Sequence, residues 1–207
     1  MGFAAHWTWI WCLFWSSLFY GEGKPLTPAA ETFGLQGIAT LSLEPLWVAS
    51  LLTNVVTIAC LLACSRFRNP LADIRFLPHS AGVLTMLGTL ALSHDVLALA
   101  GTAAWNVYLA GSLLTGIGSG IVVVLWAELL ASLGPKRTVH YSVIALLFAA
   151  LAYLLIRLLS NDVAQFIVTF LPCISMGCFL HFKTNVTRPP TSSGNMPLQA
   201  RHPDRTI

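Results

Sequence analysis

Few side chains in this sequence are placed to do chemistry. Its five cysteines, Cys12, Cys60, Cys64, Cys173 and Cys178, all fall in apolar runs. Cys60 and Cys64 share a helix face at i, i+4, but no histidine or second cysteine pair accompanies them at zinc spacing. An odd number of thiols in apolar segments is not a disulfide framework, and they read as small apolar filler. There is no serine or cysteine nucleophile patterned with a histidine and a carboxylate, no HExxH and no pair of aspartates inside an apolar run. The sequence therefore predicts no catalytic residues, no metal and no cofactor, and a protein that is not an enzyme.

Three constellations remain. Ser112, Gly116 and Gly120 repeat at i, i+4, i+8 in the run GSLLTGIGSGIVVVLWAELLASLGPKR. Small residues at that spacing let a second helix backbone approach closely, so they are assigned as a helix-packing face. Gly116, Gly118 and Gly120 lack the spacing of a nucleotide loop and sit inside the apolar run. Glu128, near the end of the same run, is a costly residue in an apolar segment and wants a partner. With Asp73 and Arg75 from the preceding polar loop it forms an expected charge cluster, in which Glu128 pairs with a basic residue of that loop. Trp7, Trp11 and Trp15 share one face of the first apolar run. They suit either a wall for a hydrophobic or cationic ligand or plain packing. Thr53, Asn54 and Thr57 can hydrogen-bond across helices, and His94, His140 and His181 sit at the ends of apolar runs.

These residues need elements to hold them, and composition says which. Of 207 residues, 56% are apolar and only 9% charged. A soluble domain carries roughly 25% charge, so ordinary soluble enzymes and disorder of the bulk are both excluded. Continuous rather than alternating apolar runs exclude a barrel. The reading is an all-α integral membrane protein. Residues 1–182 form a six-span domain with helices at 3–20, 45–64, 77–93, 104–130, 139–159 and 163–182. The third span is short, or else continues through His94 and Asp95 to Ala100. Residues 183–207, rich in Pro, Ser, Thr and Arg, read as a disordered tail or linker remnant, in which the triplet at Asn185 is a chance glycosylation match.

Charge gives the direction. With the N-terminus inside, Arg66, Arg68, Arg75, Lys136, Arg137, Lys183, Arg188, Arg201 and Arg205 all lie inside, which is nine of the eleven basic residues. Lys24 and Arg157 lie outside with Glu22, Glu31, Glu44, Asp95 and Asp162. This positive-inside pattern predicts both termini on the cytoplasmic side of the membrane.

A resemblance then becomes visible. The glycine run, Glu128, Pro135, Lys136 and Arg137, together with Leu71, Ala72 and Asp73 of the earlier loop, resemble one half of a major facilitator transporter. Asn69 and Ile74 stand where that loop carries glycine and arginine, and Ser112 and Thr115 where transporters often carry Arg and Gln. Nearly the whole chain is similar to the facilitator-like membrane half of bacterial LuxR-type regulators, which carry a cytoplasmic helix-turn-helix. The match lies in the Trp-rich first span, Pro78–Ala81, and the stretch from Gly116 to Arg137.

That resemblance implies signal perception in the membrane, here without the DNA-binding part and so without direct nucleic-acid binding by this chain. The expected partners are the lipid bilayer, a small-molecule ligand, and a second copy or a partner half domain. The alternatives are a half-size facilitator-like transporter acting as a dimer and a non-functional gene fragment.

Overall fold

The computed structural model describes residues 1–15, 45–65 and 70–187. The expected outer loop, the end of the first span, Arg66, Arg68 and residues 188–207 lie outside them, as do the side chains of Trp15 and Trp47. Among the described residues the regular structure is all helical, with no strand. The helices are α1 (Gly2–Trp15), α2 (Pro45–Ser65), α3 (Phe76–Ala91), α4 (His94–Ala100), α5 (Ala104–Ala131), α6 (Pro135–Arg157) and α7 (Asn161–Thr187), with 3-10 turns at Leu71–Asp73 and Gly101–Ala103. Three stretches, Asp95–Ala131, Pro135–Arg157 and Asn161–Asn185, are long and apolar enough to cross a membrane.

Local chemistry sets the breaks. The third apolar run stops at Leu92 because Ser93 is extended, with φ −66° and ψ 145°. The polypeptide restarts as the short α4 rather than continuing as one long helix. Gly101 ends α4 at φ +52°, a value that favours glycine. Gly134, at φ +82°, separates α5 from α6, and Pro135 opens α6 where its missing N–H costs nothing. The Thr138 hydroxyl closes this corner by donating to the carbonyls of Leu130 at 2.6 Å and Gly134 at 3.0 Å.

At the other terminus α7 runs to Thr187, past the expected end at 182. Its last turns carry side-chain bonds within the helix. Thr184 donates to the His181 carbonyl at 2.8 Å, and Asn185 meets the His181 ring at 3.2 Å.

The helices adjoin in a simple order. α5 lies between α2 and α3, α3 meets α7, and α1 lies between α7 and α6. Exchanging α1, α2 and α3 for α5, α6 and α7 maps this set of neighbours onto itself. α2 and α6 are the flanks, and both expose apolar side chains, among them Leu51, Leu52 and Val55 on α2 and Leu147, Leu151 and Leu154 on α6.

One buried cluster gathers Trp9, Leu13, Leu92, Tyr108, Ile156 and Val168. A second gathers Leu71, Ala81, Leu125, Trp126, Met176 and Phe179. The second lies at the end where α1 begins and α7 finishes, since Gly2 sits against Ser175, Cys178 and Trp126.

Candidate functional site

The end marked by that second cluster carries the densest polar contacts between distant segments. The turn Leu71–Asp73 is gripped from two sides. Glu128, half-buried on the last turns of α5, accepts from the backbone amides of Ala72 at 2.9 Å and Leu71 at 3.3 Å. The opening N–H groups of a helical turn have no partner inside it, and a carboxylate there gains charge-assisted bonds. From the opposite side Lys183 of α7 donates to the Ala72 carbonyl and forms an ion pair with Asp73 at 2.9 Å. An anion thus holds the amides of the turn while a cation holds its carbonyl and its carboxylate.

Of the expected cluster, Asp73 and Glu128 therefore meet on one turn. Arg75 is exposed and forms no ion pair among the described residues. The partners of Glu128 are main-chain amides rather than a basic side chain, and the basic member of the site is Lys183. Sequence reading placed Lys183 at the start of a tail. The only sequence signal for its role is that it follows a long apolar run and stands four residues after Phe179, on the same helix face.

The small residues sit at close crossings on both sides of α5. A Cβ added to Gly116 would lie 1.9 Å from Thr53 Oγ1 and 2.4 Å from the Ser50 carbonyl of α2. At Gly120 it would stand 3.0 Å from Thr57 Cβ. Ser112 is fully buried and turns its hydroxyl back to the Tyr108 carbonyl at 2.8 Å. Two polar contacts cross the same seam, Ser50 with Thr115 at 3.3 Å and Asn54 donating to Ser119 at 3.1 Å. Gly118 faces the other way, where a Cβ would meet Thr85 Oγ1 of α3 at 2.2 Å. In lipid such close approach replaces the missing hydrophobic drive between helices.

Trp7 and Trp11 line the seam between α1 and α6. Trp7 packs edge-on against Phe3 at 6.1 Å, and Trp11 against Tyr153 at 6.3 Å, beside Ala145 and Ala149. The functional candidates on α1 missed by sequence reading are His6 and Trp9, which point into the bundle. Both are fully buried and stacked at 5.5 Å, and Trp9 donates its indole N–H to Thr89 of α3 at 2.9 Å. Neither ring nitrogen of His6 has a hydrogen-bond partner. Among the described residues no group of three or more His, Cys, Asp or Glu could hold a metal ion.

No protein-family profile matches the chain, and neither a curated protein nor a solved structure does.

Proposed function

We propose that this chain is a six-span inner-membrane sensory module, similar to the facilitator-like half of a LuxR-type regulator. Its packing is biased by a small molecule or by the state of the membrane. The observation that carries the reading is the double grip on Leu71–Asp73. α5 holds the turn through Glu128, and α7 holds it through Lys183 at the point where the chain leaves the bundle toward its C-terminal segment. A shift of α5 against α3 and α2 is therefore transmitted to the exit of α7 through one short turn. A ligand moves such an equilibrium only by its different affinity for the two packings.

Two further features support the placement in a bilayer. The neighbour order that survives exchange of the first and last three long helices is what a pair of three-helix repeats produces. The basic residues also favour one end: among the described residues Arg75, Lys136, Arg137 and Lys183 belong to segments at the end where α1 begins, against Arg157 alone at the opposite end. By the positive-inside rule the first end is cytoplasmic.

The test is a fusion of a transcriptional reporter domain after Ile207, with the chain in a bacterial inner membrane. Reporter output is expected to change at least threefold in Glu128→Gln and Lys183→Gln proteins inserted at normal levels. Unchanged output in both sinks the sensory reading. Uptake or efflux by the reconstituted protein would replace it with the transporter.

A further inference from the structure

The basic end of the bundle contains a chamber that none of the assignments above uses. Its volume is about 480 Å³, and it lies between the start of α1, the end of α5, the start of α6 and the last turns of α7. Pockets for small molecules commonly span roughly 300–1,000 Å³. Five aromatic side chains line it: Phe3, Trp126, Tyr141, Phe148 and Phe182. None of its lining residues is acidic.

No lysine or arginine lines the chamber itself, but one stands close by on the α6 register. Tyr141, Ile144 and Phe148 form the lining stripe of α6, and Arg137 stands one turn earlier on that stripe. Arg137 is exposed and has no ion-pair partner among the described residues. The nearby carboxylates are committed elsewhere, Glu128 to two main-chain amides and Asp73 to Lys183. His181 lines the chamber from α7, and its side chain is exposed. An apolar, aromatic interior with an exposed guanidinium one helical turn before its α6 lining fits one kind of molecule. It buries a hydrocarbon body and presents a single carboxylate, which a guanidinium can hold by two parallel hydrogen bonds.

We infer that this chamber binds a single-chain carboxylate amphiphile, with its tail among the aromatic side chains and its carboxylate at Arg137. The inference deepens the sensory reading, on which it rests only for the consequence of binding. Trp126 and Leu130 in the wall flank Glu128 in sequence, and Phe182 directly precedes Lys183. Filling the chamber therefore presses on the two residues that grip Leu71–Asp73.

One glycine makes the chamber testable. A Cβ added at Gly177, a lining residue, meets nothing within 4 Å. A larger side chain there can enter the chamber without displacing backbone. The full chain is reconstituted in phosphatidylcholine vesicles and photolabelled with a diazirine-bearing dodecanoate, and the adducts are mapped by mass spectrometry. Adducts are expected on segments 141–148 and 177–182, competed by unlabelled dodecanoate and not by dodecanol.

Gly177→Leu should lower labelling about tenfold by occupying the apolar space, while Gly177→Ala keeps it. Arg137→Gln should lower labelling roughly tenfold by removing a charge-assisted contact, and leave labelling by the corresponding diazirine alcohol unchanged. Equal labelling of the same segments by a diazirine phosphatidylcholine would assign the chamber to bilayer lipid and overturn the inference. Carboxylate labelling indifferent to both Gly177→Leu and Arg137→Gln would overturn it too. These readouts are independent of the reporter fusion, so either idea can fail alone.

Discussion

Helices α1 and α5 occupy equivalent places in the bundle, each between two main neighbours, and they solve the packing problem in opposite ways. α5 meets α2 and α3 through glycine, serine and threonine, with backbones so close that a single added carbon at Gly116 or Gly118 has no room. α1 meets α7, α3 and α6 largely through bulk: Trp9 is fully buried and Leu13 beside it, while Trp7 and Trp11 fill the seam to α6. α1 makes one close approach, at Gly2, where a Cβ would lie 2.5 Å from Cys178 Cβ. One arrangement can therefore be built with short or with long contact distances. The short version depends on absence of side chain, and the long version on its presence.

Alanine separates the two cases, since it is too small for α1 and too large for α5. The largest expected effect is Trp9→Ala, which empties a fully buried site and removes the bond to Thr89, at a cost of about 4 kcal/mol. Trp9→Phe should recover most of that, leaving about 1 kcal/mol for the lost indole donor. Both are read from denaturant unfolding in detergent. Next comes Gly116→Ala, where the new methyl meets the Ser50 carbonyl, an atom that cannot swing aside. Overpacking of this kind costs about 2 kcal/mol. A disulfide-trapping pair across α2 and α5 should form more slowly in this variant, and an unchanged trapping rate would contradict the short-contact account.

Smaller again is Glu128→Gln, which trades a charged acceptor for a neutral one at about 1–2 kcal/mol. Its signature is faster hydrogen exchange at the Leu71 and Ala72 amides, with exchange in α1 untouched. Gly120→Ala closes the series at about 1 kcal/mol, because Thr57 Cβ and the Asn54 carbonyl stand at 3.0 and 3.1 Å, so α2 has to yield by only a few tenths of an ångström. A Gly120→Ala protein as unstable as Gly116→Ala would show that α5 tolerates no added carbon anywhere, and that the graded distances mean nothing.

Much of this was legible in the residues. Where the residues are described, the helix limits lie within about five positions of the apolar runs, because a helix that is apolar all round needs little else to mark it. The spacing of Gly116 and Gly120 pointed to a close helix neighbour, although not to which helix. That Gly118 serves a second neighbour was invisible, since the faces of α5 are told apart only by what lies opposite. The break at Ser93 matches the shorter of the two limits open to the third run, whereas the restart as the separate helix α4 had no mark in the residues. The grip on Leu71–Asp73 was half legible. A carboxylate at Glu128 announces a need for a partner, but charge counting looks for side chains, and main-chain amides carry no letter in the sequence. His6 was overlooked for the converse reason, since one histidine among eight aromatic residues of the first span looks like filler until its burial is known.

The turn Leu71–Asp73 has one more consequence. Its amides face an anion and its carbonyl faces a cation, so the peptide units lie between Glu128 and Lys183 like a dipole between charged plates. An ordinary salt bridge tolerates exchange of its two partners, because each charge still finds its opposite. A polarised turn has a front and a back. Exchanging the charges, with Glu128→Lys and Lys183→Glu together, would set lysine against amide donors and glutamate against the Ala72 carbonyl and Asp73. The doubly exchanged protein is thus expected to lose the grip more completely than either single neutral variant. At this end of the bundle the direction of the chain itself is part of the electrostatics.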